Sequence, residues 1–343
     1  MSPKKAKIAI NGFGRIGRLF FRQAFNKFDV VAINDLSDID NLAYLLKYDT
    51  VYGNFDKTIK VEKGRRNYLV VGRKKILVLQ ERDPRYLPWR RLRVDLAIEA
   101  TGAFNTYKQS RAHLQAGAKK VVLTAPSKDE EQRDAKTVLL GVNEEEFKTC
   151  NITSNGSCTT NASHPLSAIM AETVGVEKAF LNTIHGYTAT QNLVDGRSRG
   201  GDVRRGRAAA MNLIPTTSGA SISVAKVVKE LEGKFEAMAI RVPVISGSIG
   251  DFTFVSKKNT TVEQVNRIFK KAAKSPRWKD ILAVTEEPVV SSDIIGQPYG
   301  SIVDLSYTKV VGGNLVKILT WYDNEWGYVT TLVKHVEKSI KTL

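Results

Sequence analysis

The segment Gly12-x-Gly14-x-x-Gly17 limits what this chain can fold into more than any other feature. It lies between a short apolar run, Lys7-Ile8-Ala9-Ile10, and a stretch over 19–28 with apolar residues at helical spacing. A second apolar run, Val30-Val31-Ala32-Ile33, ends at Asn34-Asp35. Strand, tight turn, helix and strand in that order is the context a dinucleotide-binding turn requires. Gly12 permits the turn, Gly14 lets backbone approach a pyrophosphate, and Gly17 lets the helix pack closely on the strand. The helix start offers free N–H groups and the positive dipole end. Asp35 can accept from an adenosine ribose hydroxyl, and Phe13, Arg15 and Ile16 complete the turn. A lone GxGxxG is weak. A glycine-rich hairpin beside an unrelated surface aspartate would lack this register.

Further strands are expected near 68–71, 76–79, 96–99 and 120–124, with a helix over 106–116 and Gly117 as its C-cap. Such alternation predicts a parallel sheet covered on both faces. After about Asn155 the pattern changes. A helix over 159–174 leads to longer strands at 179–185, 237–243, 249–255 and 317–322, with a helix at 261–273. The stretch 326–340 has helical periodicity. A chain of 343 residues has room for two domains. The fold class read here is α/β: a Rossmann-type doubly wound parallel sheet over 1–156, on which a C-terminal helix at about 325–343 packs back, plus an α+β catalytic domain over 157–324 with a large mixed or antiparallel sheet.

Lys and Arg number 52 against 35 Asp and Glu, a net charge of +17. A basic surface can serve nucleic acid or a membrane. No run of five like charges occurs, so solvated faces or a field that attracts small anions explain the excess better. Nucleic acid is at most a secondary partner. No apolar run is long enough to cross a bilayer, and no membrane role is expected. The basic residues 1–7 precede only Ile8-Ala9-Ile10, too short for a signal h-region. With two cysteines, a disulfide scaffold is excluded and a cytoplasmic setting is expected. No metal site is expected.

Ser154-Asn155-Gly156-Ser157-Cys158-Thr159-Thr160-Asn161 is small and polar and opens a helix. A cysteine there sits by the positive helix end, which predicts a lowered thiol pKa. Its base comes from four histidines. His185 ends a strand and is favoured; His164, on the same helix start as Cys158, is a rival. His113 and His335 read as surface residues of helices, and Cys150 as structural. A Cys–His pair fits an acyl transferase or an aldehyde dehydrogenase. A dinucleotide unit in the same chain favours the second.

Five segments, in order along nearly the whole chain, resemble one family: Ile10-Asn11-Gly12-Phe13-Gly14-Arg15-Ile16-Gly17-Arg18, Ser157-Cys158-Thr159-Thr160-Asn161, His185-x-Tyr187-Thr188-Ala189-Thr190-Gln191, Arg241-Val242-Pro243 and Trp321-Tyr322-Asp323-Asn324-Glu325-Trp326-Gly327-Tyr328. They resemble phosphorylating glyceraldehyde-3-phosphate dehydrogenase. The resemblance implies that Cys158 attacks an aldehyde and His185 serves as acid and base. Hydride passes to a nicotinamide, and inorganic phosphate displaces the thioester. Thr188, Thr190, Arg205, Ser218, Gly219 and Arg241 are implied to hold the two phosphate groups, with Ser157 and Thr159 beside the thiol. Arg15, Ile16, Asp35, Arg82, Thr124 and Asn324 are implied on the cofactor side, Asn324 at the carboxamide. The implied partners are glyceraldehyde 3-phosphate, inorganic phosphate and further copies of this chain in a homotetramer, in glycolysis or gluconeogenesis.

Four places depart from the family's usual pattern. Gly156 and Ala162 replace an alanine and a second cysteine around the nucleophile. The loop from Asp195 to Arg207 is more basic, with Arg197 at a usual proline. In the family this loop reaches a neighbouring subunit's cofactor, so Arg197 or Arg199 could meet a 2′-phosphate. That makes NADP the alternative to NAD, while Asp35 would repel such a phosphate and favours NAD. Ser218-Gly219-Ala220-Ser221-Ile222-Ser223 replaces Thr-Gly-Ala-Ala-Lys-Ala. Val244-Ile245-Ser246-Gly247-Ser248-Ile249-Gly250-Asp251 replaces Thr-Pro-Asn-Val-Ser-Val-Val-Asp, near family subunit contacts. Two other enzymes were weighed. Erythrose-4-phosphate dehydrogenases lack the Thr-Ala-Thr-Gln kept here, and Asn324-Glu325-Trp326-Gly327 speaks against an aspartate-semialdehyde reductase. A basic nucleic-acid-binding protein retaining the fold would not need Cys158, His185 and Arg241 together.

Overall fold

A computed structural model describes residues 5–198 and 202–343. It divides into two compact units. One comprises the chain up to Val138, Glu144–Gly156 and Leu332–Leu343; the other comprises Leu139–Asn143 and Ser157–Thr331. Arg199, Gly200 and Gly201 of the basic loop lie outside the described residues, as does most of the basic N-terminal segment.

In the first unit the chain runs β1 (Lys7–Asn11), α1 (Arg15–Ala24), β2 (Asp29–Asn34), α2 (Ile39–Lys47), β3 (Ile59–Glu62), β4 (Asn67–Val71), β5 (Lys74–Leu79), α3 (Trp89–Leu92), β6 (Leu96–Glu99), α4 (Tyr107–Gln115), β7 (Lys120–Leu123), β8 (Ala135–Thr137) and β9 (Ile152–Ser154). The nine-stranded sheet has the order β3-β4-β5-β2-β1-β6-β7-β9-β8. Its central strands are apolar along their length and buried: Ile8, Ala9, Ile10, Leu96, Ala97 and Ile98 are all 0% exposed. Such runs suit strands covered on both faces.

The expectation of a parallel sheet needs one correction. β3, β4 and β5 pair antiparallel at one edge. Only Gly72 and Arg73 separate β4 from β5, and Gly72 has φ +59°. Two residues can close a hairpin but not a parallel crossover. The first helix also starts earlier than its apolar spacing implied, because Gly14 caps it, and it ends at Ala24. Both Lys27 and Phe28 return N–H bonds to the Ala24 carbonyl.

The second unit runs α5 (Cys158–Thr173), β10 (Val176–Gly186), β11 (Ile214–Thr217), α6 (Ala220–Ala225), β12 (Phe235–Val242), β13 (Ser248–Ser256), α7 (Val262–Lys274), β14 (Leu282–Thr285), β15 (Ser301–Val311) and β16 (Leu315–Tyr322). α8 (Trp326–Ile340) begins in this unit and continues into the first from Leu332. The seven-stranded sheet is mixed, in the order β11-β12-β10-β13-β16-β15-β14. β10–β12 and β14–β15 are parallel; the other pairs are antiparallel. Strand β13 alternates buried and half-buried residues along its length, as a sheet with two unlike faces requires.

His113 and His335, read as surface residues, are both 0% exposed. His113 accepts from the Trp89 indole at 3.0 Å and meets Glu99 at 3.0 Å. His335 lies 2.7 Å from the Thr153 hydroxyl and packs edge-on against Phe147. Both ring nitrogens of His113, and Nε2 of His335, find partners inside the first unit, which helps to make burial tolerable. No helix among the described residues is long and apolar enough to cross a membrane.

Candidate active site

The three glycines of the turn are glycine for different reasons. A Cβ on Gly12, which has φ +91°, would meet the Ala100 carbonyl carbon at 2.5 Å, and one on Gly17 would meet the Gly12 oxygen at 2.1 Å. A Cβ on Gly14 would meet nothing within 4 Å. Gly14 instead borders a cavity of about 400 Å³ with Gly12, Asp35 and Arg82. The cavity lies at the C-terminal ends of β1, β2 and β6, where open α/β sheets take their ligands. Gly14 caps α1 without any side-chain bond, and the positive end of the helix dipole meets this turn. These features fit a dinucleotide.

Other candidates stand elsewhere. Asp35 lines the cavity, but one carboxylate oxygen accepts from Phe13 N at 2.7 Å and the other from Ser37 N at 2.9 Å. Phe13 is buried edge-on against Phe21. Arg15 is paired with Asp49 at 2.6 Å, and Thr124 bonds the Glu99 carbonyl at 3.1 Å. None of Phe13, Arg15, Ile16, Gly17 and Thr124 is in the cavity lining. Asn11, Asn34, Leu36, Glu81, Thr101 and Phe104 are, though they were not singled out. Their signal was position: they sit at or just beyond strand ends. Asn324, in the second unit, is 5% exposed and its Oδ1 accepts from Ser248 at 2.9 Å and Ser246 at 3.5 Å.

In the second unit Ser157 caps α5, its hydroxyl accepting from Thr160 N at 3.0 Å, and Cys158 is the first helical residue. His185 comes from the end of β10. Its Nε2 stands 3.3 Å from Cys158 Sγ. The rival His164 is buried in α5 and bonds the carbonyls of Thr160 and Leu140, with no contact to the thiol. The histidine six residues along the helix faces the core, whereas the strand end faces the nucleophile. Cys150 is buried, and burial raises its thiol pKa, as suits an inert side chain.

The predicted lowering of the Cys158 pKa is not what the structure gives. The thiol is partly open, yet burial is the largest influence and holds it above the ordinary cysteine value; the Arg241 charge pulls the other way. His185 is pushed down to about 3, first by burial and then by Arg241. The resting pair is therefore neutral thiol and neutral imidazole. His185 Nδ1 is 2.6 Å from the Gly186 carbonyl. Base catalysis by Nε2 requires the tautomer whose proton is on Nδ1, donated to that carbonyl, which leaves the Nε2 lone pair facing the thiol.

Arg241, from β12, is paired with β10 in register opposite His185. Its Nη1 approaches His185 Nδ1 at 2.5 Å and donates to Gly186 O at 3.2 Å. No carboxylate pairs with it among the described residues, so the structural ion pair that would otherwise explain it is absent. The Arg205 guanidinium donates to the Thr216 hydroxyl, at 2.9 and 3.1 Å, and its charge acts on Arg241. Two half-buried arginines without an acid among the described residues make a site for an anion. The hydroxyls of Thr188 and Thr190 lie 2.9 Å apart, and Ser218 accepts from Ala220 N at 3.3 Å beside Gly219. Thr159 turns to Tyr322 at 3.1 Å, and Tyr322 bonds Thr183 at 2.6 Å. Tyr322 packs edge-on against His185. Its closeness to the base was not read from the sequence, where it was only one letter of a longer motif.

Comparison with known proteins agrees with both halves of this picture. Residues 6–107 match the family model described as glyceraldehyde 3-phosphate dehydrogenase, NAD binding domain, and residues 157–324 match that of the C-terminal domain. A glyceraldehyde-3-phosphate dehydrogenase from Borreliella burgdorferi is 45% identical over 343 residues, covering 98% of this chain and 100% of the relative. One from Clostridium pasteurianum is 44% identical over 96% of this chain and 97% of its own length. Glyceraldehyde-3-phosphate dehydrogenase 2 from Bacillus subtilis is 42% identical, with 98% of each covered. With its glycine turn, its Cys–His pair and relatives matched from end to end, this chain belongs to the glyceraldehyde-3-phosphate dehydrogenase family.

Proposed function

We propose that the protein oxidises glyceraldehyde 3-phosphate to 1,3-bisphosphoglycerate with NAD and inorganic phosphate, through a thioester on Cys158. The observation that carries this reading is the 3.3 Å contact of Cys158 with His185 beside an arginine that has no acid partner among the described residues. Cys158 Sγ attacks the aldehyde carbon while its proton passes to His185 Nε2. The imidazolium returns that proton to the new oxyanion, giving a neutral hemithioacetal. His185 then takes the hydroxyl proton as the carbon is oxidised to the thioester. NAD, when bound, supplies the hydride acceptor for that step. A phosphate oxygen attacks the acyl carbon, and the Cys158 sulfur leaves and is reprotonated. Covalent attachment divides one hard step into two.

Arg241, Arg205, Thr188, Thr190, Ser218 and Gly219 hold the substrate's phosphate and the attacking one, with Ser157 and Thr159 near the sulfur. Asn324 orients the nicotinamide amide. Gly12, Gly14, Asp35 and Arg82 hold the adenosine and pyrophosphate part, framed by Phe13, Arg15, Ile16, Gly17 and Thr124. We place the enzyme in the cytoplasm as a homotetramer.

The test mixes purified protein with glyceraldehyde 3-phosphate, NAD and phosphate or arsenate, and follows the reduced nucleotide beside Cys158→Ser. Turnover that needs the inorganic anion and disappears in the variant is expected. Faster turnover of erythrose 4-phosphate, or reduction of NADP alone, would overturn the substrate or the cofactor assignment.

A further inference from the structure

The first unit has a second cavity, of about 760 Å³, at the other end of its sheet. Lys7 opens β1, and Asp95 and Lys119 immediately precede β6 and β7, so this cleft lies at the N-terminal ends of the parallel strands. The glycine turn lies at their C-terminal ends. Ala6, Val94 and Ile340 give the cleft apolar lining, and Lys5, Lys7, Arg90, Arg93 and Lys341 surround it. Asp95 is the acid in the lining, and it is spent: it accepts from Lys119 Nζ at 2.7 Å and from Lys7 N at 2.9 Å. Lys5 and Lys7 reach only backbone carbonyls, of Asn26 and Leu92. Arg90, Arg93 and Lys341 have no acidic partner among the described residues. Arg90, Arg93 and Lys341 thus share one concavity whose side-chain acid, Asp95, is already engaged by Lys119 and Lys7, and their charges repel one another.

Arg93 adds a second observation. It is the one non-glycine described residue with positive φ, at φ 55° and ψ 49°. Its N–H closes the end of α3 on the Arg90 and Trp89 carbonyls. Glycine would take that backbone freely, and a side chain there is strained. Strain of this kind persists where a side chain has work to do.

We propose that this cleft binds a small polyphosphate anion, recognised through its phosphates. A bounded concavity of this size suits a small molecule. No aromatic residue lines it, so neither a stacked base nor a single-stranded nucleic acid finds the platform it needs. Arginine forks and lysines suit phosphate oxygens. The site shares no lining residue with the cofactor-turn cavity, and explains where part of the +17 charge is put to use.

The test titrates inorganic tripolyphosphate into NAD-saturated Arg241→Gln protein by calorimetry, so that the glycine-turn cavity is filled and the anion site beside Cys158 is weakened. Expected are one site per chain, affinity that falls with added salt, and about tenfold weaker binding for Arg93→Gly and for Arg90→Gln, the loss of one charge-assisted contact. Arg93→Gly relieves the backbone, so its melting temperature should hold or rise while binding falls; a merely structural arginine would not separate the two. ATP should bind as tripolyphosphate does if phosphates alone are read. No heat at millimolar tripolyphosphate, affinity unchanged in both variants, or a single-stranded oligonucleotide that tripolyphosphate cannot displace would overturn the proposal.

Discussion

Cys158 and His185 meet as neutral groups, so the nucleophile is made when the proton moves rather than stored as thiolate. After burial, the main influence on each, the Arg241 charge acts on both members and lowers the thiol and the imidazole alike. Arg241→Gln should therefore raise both values, moving both limbs of the kcat/KM pH profile upward, besides weakening phosphate dependence. A profile that keeps its position while activity falls would limit Arg241 to anion binding. The two seryl donors on Asn324 offer a second prediction. With Oδ1 held by Ser246 and Ser248, the amide NH₂ is left to face a ligand. Ser248→Ala should weaken NAD binding, measured by titration, by about three- to tenfold, the worth of a neutral hydrogen bond. An unchanged affinity would remove the serines from that role. The Cys–His pairing could be narrowed from sequence to two histidines, because strand ends and helix starts are where such groups are held. Its protonation could not, because burial by distant segments sets it. Likewise, nothing in the residues around His113 or His335 announces Trp89, Glu99 or Thr153, which arrive from other elements.

The β1–α1 element is the part most legible beforehand, since the chemistry of a turn is local. Gly12 and Gly17 answer to close backbone contact and Gly14 to open space. Two substitutions should separate these roles. Gly14→Ala should weaken NAD binding by tenfold or more with little change in melting temperature. Gly17→Ala forces a Cβ against the Gly12 oxygen and should destabilise the protein by about 1–3 kcal/mol, the usual scale for overpacking. Equal loss of stability in both would contradict the assignment. Elements without such local signals are not legible: β8 is only three residues long, and β15 mixes Asp304, Ser306 and Lys309 into an apolar run. Asp304 accepts from the Trp321 indole at 3.0 Å across the β15–β16 pair. Its place in a strand is set by that partner, which sequence spacing does not reveal.

For the whole molecule, buried histidines tie stability to pH. His164 is held down to about 4, and His185 and His335 to about 3, burial being the main cause in each. Unfolded histidines take up protons near pH 6.5. Below that value the unfolded chain binds more protons than the folded one, so stability falls as pH drops from about 6.5 towards 4. Each histidine contributes a slope of up to about 1.4 kcal/mol per pH unit there. Denaturant unfolding across that range should show the decline, with a shallower slope in His335→Gln; a flat profile would mean the rings are not buried neutral. The central claim, an acyl group carried on Cys158, is tested most directly by intact-protein mass spectrometry after mixing with glyceraldehyde 3-phosphate and NAD without phosphate. The account predicts one acyl adduct per chain, mapped to the Cys158 peptide, absent in Cys158→Ser and discharged when phosphate is added. An adduct on Cys150, or steady turnover with phosphate but no adduct in its absence, would contradict it.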